Sequence, residues 1–224
     1  MCGRFLLAVD PADLQEAFPQ FNFEDKVELR YNIAPSQPVL VIPNVPPFKP
    51  DYFQWGLIPS WSKDPSIGYR MINARGETLS EKPTFRGPYK YHRCLVLANG
   101  FYEWRQVPGQ KSKSPYHIRL KNERPFAFAG LWDEWHAPDG STIRTCTIIT
   151  TSPNEVVAPI HDRMPVILPS IAYPLWLDPS PRTQFDLQNL IAPYPAVEME
   201  ASPVSPFVNN PAHTGPECLS RVEL

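Results

Sequence analysis

Proline decides what this chain can fold into. Twenty-nine of its 224 residues are proline, spread from Pro11 to Pro216, against ten glycines. A proline inside a helix removes a backbone hydrogen bond and its ring meets the carbonyl four residues back. Inside a sheet it breaks the ladder. Long helices and long central strands are therefore not expected; short elements joined by stiff loops are. Proline and glycine together stay below the share that marks a low-complexity chain. With 42% hydrophobic residues, six tryptophans and 20% charged residues, the chain can fill a core and does not read as disordered. Its length suits one sizeable domain.

The pattern along the chain is mostly strand. Residues 3–8, 38–42, 52–57, 116–120, 126–132 and 143–150 read as strands. The run 94–106 reads as two strand pieces broken at Asn99-Gly100, a turn or bulge signal. Asp10-Pro11 has the form of an N-cap with proline at the first helical position, and Leu14 and Phe18 follow at helical spacing. Further short helices are expected at 153–160, 171–177 and 183–191, and residues 201–218 as an extended, proline-rich tail. The expected class is α+β: a single domain over residues 2–218, built on a curved antiparallel, barrel-like sheet with short peripheral helices, and a short tail at 219–224.

The four cysteines, Cys2, Cys94, Cys146 and Cys218, are far apart and form no C-x-x-C, so neither a zinc site nor any other metal is expected. Cys94 and Cys146 lie in apolar runs and read as buried thiols. Cys2 is different. Removal of Met1 would leave one residue with both an α-amine and a thiol, whose ordinary pKa values are about 8 and about 8.5. Such a 1,2-aminothiol condenses with an aldehyde through its amine and closes a thiazolidine ring through its sulfur. Cys2 is thus a candidate carbonyl-capturing residue, beside the plain reading that the second codon happens to be cysteine.

Net charge is −2, but it is unevenly spread. Residues 63–124 carry thirteen Lys and Arg against five Asp and Glu. Residues 178–224 carry two Arg against six acids. The middle of the chain can therefore attract a polyanion. Several polar residues stand in apolar frames. Glu103, between Tyr102 and Trp104, is either a surface strand residue or a desolvated acid suited to proton transfer. His161 stands with Asp162 and Arg163 in an apolar stretch. Asn73 and Arg75 share one strand face and suit a phosphate or sugar oxygen. Arg4, Trp55, Phe85 and Arg86 form an aromatic and basic set of the kind that holds single-stranded nucleic acid, although each tryptophan has a core reading as well.

Six ordered segments carry a resemblance: Cys2-Gly3-Arg4-Phe5, Arg30 to Gln37, Trp55 to Trp61, Ile72 to Thr78, Asn99 to Trp104 and His161 to Pro165. Together with Val208-Asn209-Asn210 and Gly215-Pro216-Glu217 they resemble the SRAP (SOS-response-associated peptidase) family from residue 2 to about residue 218. The departures are small: Asn99 stands where the family often has Asp, and His92 where a second basic residue is common. The resemblance implies covalent capture of abasic sites in single-stranded DNA by the Cys2 aminothiol, with lyase and autoproteolytic activities as further family associations. It assigns catalysis to Cys2, Asn73, Glu103 and His161. It assigns DNA contact to Arg4, Asn32, Trp55, Arg75, Phe85, Arg86 and Arg163. It implies no cofactor, a monomer, and a cytoplasmic protein that joins the nucleoid when bound to DNA. Two other readings stay open: a thiol peptidase using Cys2, His161 and Glu103 or Asn73, and a non-covalent single-stranded DNA binder. No signal peptide opens the chain, and no run approaches eighteen apolar residues, so no membrane span is expected.

Overall fold

The computed structural model describes residues 2–23, 27–106, 109 and 112–223. Thirteen strands occur among them: β1 (Phe5–Leu7), β2 (Arg30–Ile33), β3 (Pro38–Pro43), β4 (Asp51–Trp55), β5 (Asn73–Arg75), β6 (Arg93–Ala98), β7 (Gly100–Arg105), β8 (Ser114–Leu120), β9 (Phe126–His136), β10 (Thr142–Thr151), β11 (Met164–Pro165), β12 (Ile167–Leu168) and β13 (Met199–Pro203). Four short α-helices accompany them: α1 (Pro11–Ala17), α2 (Pro83–Tyr91), α3 (Tyr173–Trp176) and α4 (Gln184–Leu187).

The pairings close a ring. β10 runs parallel to β4, β4 pairs β3, β3 pairs β6, β6 pairs β9, and β9 returns to β10, the last four pairings antiparallel. Closure removes the exposed edges that an open sheet would present. The end of β10 continues past the ring and takes β5 and β11, while β9 takes β12. A second antiparallel sheet runs β13-β8-β7-β1-β2. Phe5 of β1 packs edge-on against Trp55 at 5.0 Å and Phe128 at 5.7 Å, so one residue of the second sheet is sunk among barrel side chains. The α+β class with a barrel-like core and short helices is thus the architecture found, with one parallel pair beside β5 in an otherwise antiparallel set.

Most expected strands form within a residue or two of their expected bounds. The strand face read for Asn73 and Arg75 is β5. The short strands β2, β11, β12 and β13 were not expected as elements, because their pairing depends on distant partners rather than on local pattern. Helix α1 starts at Pro11 as read, although the Asp10 side chain makes no capping bond. Residues 153–160 form turns instead of the expected helix. Single α-type bonds run from Ala158 to Asn154 and from His161 to Val157, but Pro159 between them has no N–H to give and disfavours a helical residue before it. Helix α2 was not among the expected elements. It forms despite Pro88 in its interior, because Phe85, Pro88 and Tyr89 lie on one buried face.

A buried cation ties these helices to the barrel. Arg93, fully buried at the start of β6, donates to the carbonyls of Tyr89 and Lys90 at the end of α2. It also donates to those of Trp176, Asp178 and Ser180 at and after the end of α3. Helix C-termini present unpaired carbonyls and partial negative charge, which a guanidinium satisfies. Its desolvation lowers the Arg93 pKa to about 10. The chain's last described residues return to β13: Ser205 N–H bonds to Ser220 and Val222 N–H to Pro203.

Candidate active site around Cys2

The two sheets meet where the chain enters β1. The β1–β7 ladder pairs Phe5 with Phe101 and Leu6 with Gly100, and the Tyr102 N–H donates to the Arg4 carbonyl at 2.9 Å. Two residues before Arg4, Cys2 lies near enough to Glu103 for the carboxylate charge to act on its thiol. Cys2 is fully buried. The Asn73 amide donates to the Cys2 carbonyl at 2.8 Å, so β5 on the barrel holds residue 2. Asn73 Oδ1 is buried with no donor among the described residues.

Glu103 is 2% exposed, which decides between the two readings of its aromatic frame. Strand alternation turns its neighbours to the other face, where Tyr102 donates to the Tyr31 carbonyl and Trp104 to Asn209 Oδ1, each at 2.8 Å. Burial lifts the Glu103 carboxyl from an ordinary 4.5 to about 7, and the nearby charge of Asp162 adds to the rise. The same burial pushes the Cys2 thiol far above its ordinary value, with the Glu103 charge adding, so the thiol is protonated at neutral pH.

His161 completes the cluster. Its Nε2 lies 3.9 Å from Glu103 Oε2. The preceding turn is built on Asn154, whose Oδ1 accepts from the N–H groups of Val156 and Val157. Nδ1 of His161 has two neighbours that demand opposite states. The Arg163 N–H at 3.0 Å requires a lone pair there, while Asp162 Oδ1 at 2.9 Å requires a proton. The first arrangement leaves the proton on Nε2, facing Glu103; the second belongs to a ring protonated at Nδ1. Burial lowers the His161 pKa, which favours the neutral ring.

The expected DNA-contact residues divide into three groups. Arg75 and Arg86 are exposed. Arg4 and Arg163 are turned inward. Arg163 makes a two-pronged pair with Glu77 at 2.6 and 2.9 Å and reaches the Thr150 carbonyl at 2.7 Å. Arg4 bonds Asn32 and the Val208 carbonyl. Trp55, Phe85 and Asn32 are buried, and the Trp55 indole is committed to the Ile72 carbonyl at 2.8 Å, so none of the three offers a free face to a base in this conformation.

Exposed rings that could take that place lie on the segment between β4 and β5. Trp61 is 62% and Tyr69 is 69% exposed, with Lys63 and Arg70 beside them in sequence. The segment is built firmly. Gly56 has φ +127° and packs so tightly that a β-carbon there would lie 2.5 Å from the Gly68 carbonyl oxygen. The Ile58 N–H bonds to Thr145, the Ser60 N–H to Asp133, and the Trp135 indole to the Ser62 carbonyl. The turn signal Pro59-Ser60 next to Trp61 could have marked that ring as the exposed one.

The sequence matches the family described as SOS response associated peptidase (SRAP) over residues 1–211. The chain belongs to the SRAP family. It is 48% identical over 222 residues to the abasic site processing protein YoqW of Bacillus subtilis, an alignment covering 98% of this chain and 99% of that protein. It is 33% identical to the mouse abasic site processing protein HMCES, over 92% of this chain and 69% of the mouse protein. A crystal structure of a protein from Bacteroides thetaiotaomicron superposes with a TM-score of 0.87 at 27% identity, covering 99% of this chain and all of that one. All six motif segments fall within the matched SRAP region. No helix among the described residues is long and apolar enough to cross a membrane. No group of three or more His, Cys, Asp or Glu side chains among them could hold a metal ion.

Proposed function

We propose that this SRAP protein captures the open-chain aldehyde of abasic sites in single-stranded DNA as a thiazolidine on Cys2. The observation that carries the reading is the buried cluster itself. A backbone-anchored Cys2, a carboxyl near pKa 7 and a neutral imidazole share one largely buried site. The names of the YoqW and HMCES relatives support the substrate. Met1 lies outside the described residues; the chemistry requires its removal.

An abasic sugar is mostly a closed hemiacetal, and His161 moves the proton that opens it. The Cys2 amine adds to the aldehyde carbon. The resulting carbinolamine loses its hydroxyl as water, taking a proton from Glu103 while the nitrogen gives its own to the carboxylate left behind, and an imine forms. With its pKa near 7, Glu103 is present in both forms at neutral pH and can give a proton in this step and take one in the next. The Cys2 thiol then adds to the imine carbon. Its proton passes by way of Glu103 to the nitrogen, and the five-membered ring closes with one water lost overall. Because burial holds the thiol protonated, its proton leaves only as the C–S bond forms. Asn73 holds residue 2 in line, which converts a bimolecular encounter into an oriented attack. Arg4, Arg75, Arg86 and Arg163 take flanking phosphates, and Trp61 and Tyr69 take bases by stacking.

The test is denaturing electrophoresis with intact mass on protein lacking Met1, incubated with a single-stranded oligonucleotide carrying one abasic site. A heat-stable adduct of summed mass less one water is expected. It should be absent from Cys2→Ala and from protein with one residue left ahead of Cys2. DNA binding without an adduct overturns covalent capture. An adduct that survives the extra residue overturns the role of the α-amine.

A further inference from the structure

The segment Val208–His213 has no part in the chemistry above, yet it is tied to both strands that carry the site. Its anchor is Asn32 on β2, 2% exposed. Asn32 Oδ1 accepts from Arg4 Nη1 at 2.7 Å, and its Nδ2 faces the carbonyls of Val208 (3.2 Å), Asn210 (3.1 Å) and His213 (2.8 Å). The amide has one orientation consistent with these partners, since its oxygen meets a donor and its nitrogen meets only acceptors. The Val208 carbonyl accepts from Arg4 as well, at 2.9 Å, and the Asn209 carbonyl lies 3.5 Å from Nη2. Asn209 Oδ1 also takes the indole N–H of Trp104, over whose ring the Arg4 guanidinium sits at 5.7 Å. One strap thus fixes Arg4, two residues from Cys2, and Trp104, next to Glu103.

Every hydrogen-bond partner of the Arg4 guanidinium among the described residues is a neutral oxygen. Its charge is held in place but not cancelled, which is the condition for an anion site formed in advance. An arginine paired with a carboxylate would have to give up that partner first.

We propose that Asn32 is a positioning residue for the capture reaction: it locks Arg4 and the Val208–His213 strap into one unit that presents a ready-made anion site beside Cys2. The inference rests on the covalent-capture reading and names the part of the fold that aims it. Asn32 does not touch DNA or the reacting atoms; it acts through Arg4.

A double-mutant cycle on the crosslinking rate constant at saturating abasic single-stranded DNA tests this. Asn32→Ala is expected to slow the reaction about 10- to 100-fold, the scale of an ångström-sized misplacement. In an Arg4→Ala background the same change is expected to have an effect of no more than about twofold, because the group it orients is gone. Multiplicative effects, or a wild-type rate in Asn32→Ala, overturn the proposal. If Asn32→Ala does not fold, Asn209→Ala on the exposed strap replaces it in the same cycle with the same expectations, and Asn209→Gln, which keeps a neutral acceptor for Trp104, is expected to restore the rate. If the wild-type protein forms no adduct, the capture reading has failed. The Arg4–Asn32 coupling is then read from affinity for an oligonucleotide carrying a tetrahydrofuran abasic analogue: coupled losses uphold the positioning role, and independent losses overturn it.

Discussion

Glu103 should make this protein less stable as the pH rises, by an amount that can be worked out. Its folded pKa of about 7 stands some 2.5 units above the ordinary 4.5. Each unit corresponds to about 1.4 kcal/mol, so the total is about 3 kcal/mol. The sign follows from proton counting. Below pH 4.5 the group is protonated in both states and contributes no slope. Between 4.5 and 7 the folded protein holds a proton that the unfolded chain has released, so stability falls with rising pH. Above 7 both states are ionised and the loss is complete. In Glu103→Gln, which is close in shape and does not titrate, this component is absent. The assay is urea denaturation of both proteins at pH 4.5, 6, 7 and 8. Wild-type stability is expected to drop about 3 kcal/mol more than that of the variant across the range, with nearly all the difference below pH 8. Parallel stability curves would refute the reasoning, because they would mean that Glu103 is hydrated or neutralised rather than desolvated. A carboxylate that weakens the fold at working pH has no structural reason to be there, so the expected result also counts toward a chemical role.

Three further outcomes are expected. Arg93→Met removes the buried guanidinium that satisfies five carbonyls and should cost about 3–5 kcal/mol in denaturant unfolding, without a selective effect on Cys2 chemistry. Trp61→Ala should weaken non-covalent binding to single-stranded DNA by about 1–3 kcal/mol, measured by fluorescence anisotropy, and leave the melting temperature in place, since the ring is mostly exposed. Gly56→Ala should destabilise the fold by at least about 1–3 kcal/mol, visible as a lower urea midpoint, because φ +127° is strained for any residue with a β-carbon and the Gly68 backbone blocks the space.

How much of this was legible in the sequence depended on whether the deciding contact was local. The barrel strands β3, β6 and β9 announced themselves as apolar runs, since a strand buried on both faces carries its signal in its own composition. β13 did not, because Met199–Pro203 is a strand only by virtue of β8 beside it. Proline's effect depended on its surroundings. The helix at 83–91, which was not among the expected elements, holds Pro88 inside it because burial of Phe85, Pro88 and Tyr89 outweighs one missing bond. At 153–160, where a helix was expected, Pro159 does interrupt it.

The site shows the same division in finer form. Alternation told which way Glu103 points relative to Tyr102 and Trp104, but not which face of β7 is dry. That depends on β1 lying against it and on β5 of the barrel reaching across to hold Cys2. Aromatic residues failed for the related reason that a ring suited to stacking on a base is equally suited to a core. Trp55 faces Phe5 inside, whereas Trp61, six residues on and past a Pro-Ser turn, faces solvent. Asn32 went furthest from expectation. The family resemblance alone had set it among the nucleic-acid contacts. Its amide is instead spent on Arg4 and three carbonyls nearly 180 residues away, a commitment that only the return of the chain's end to its beginning could reveal. A polar side chain in a binding motif can therefore serve the ligand without meeting it. The property that separates the two cases is whether its hydrogen-bonding capacity is already filled when the ligand arrives.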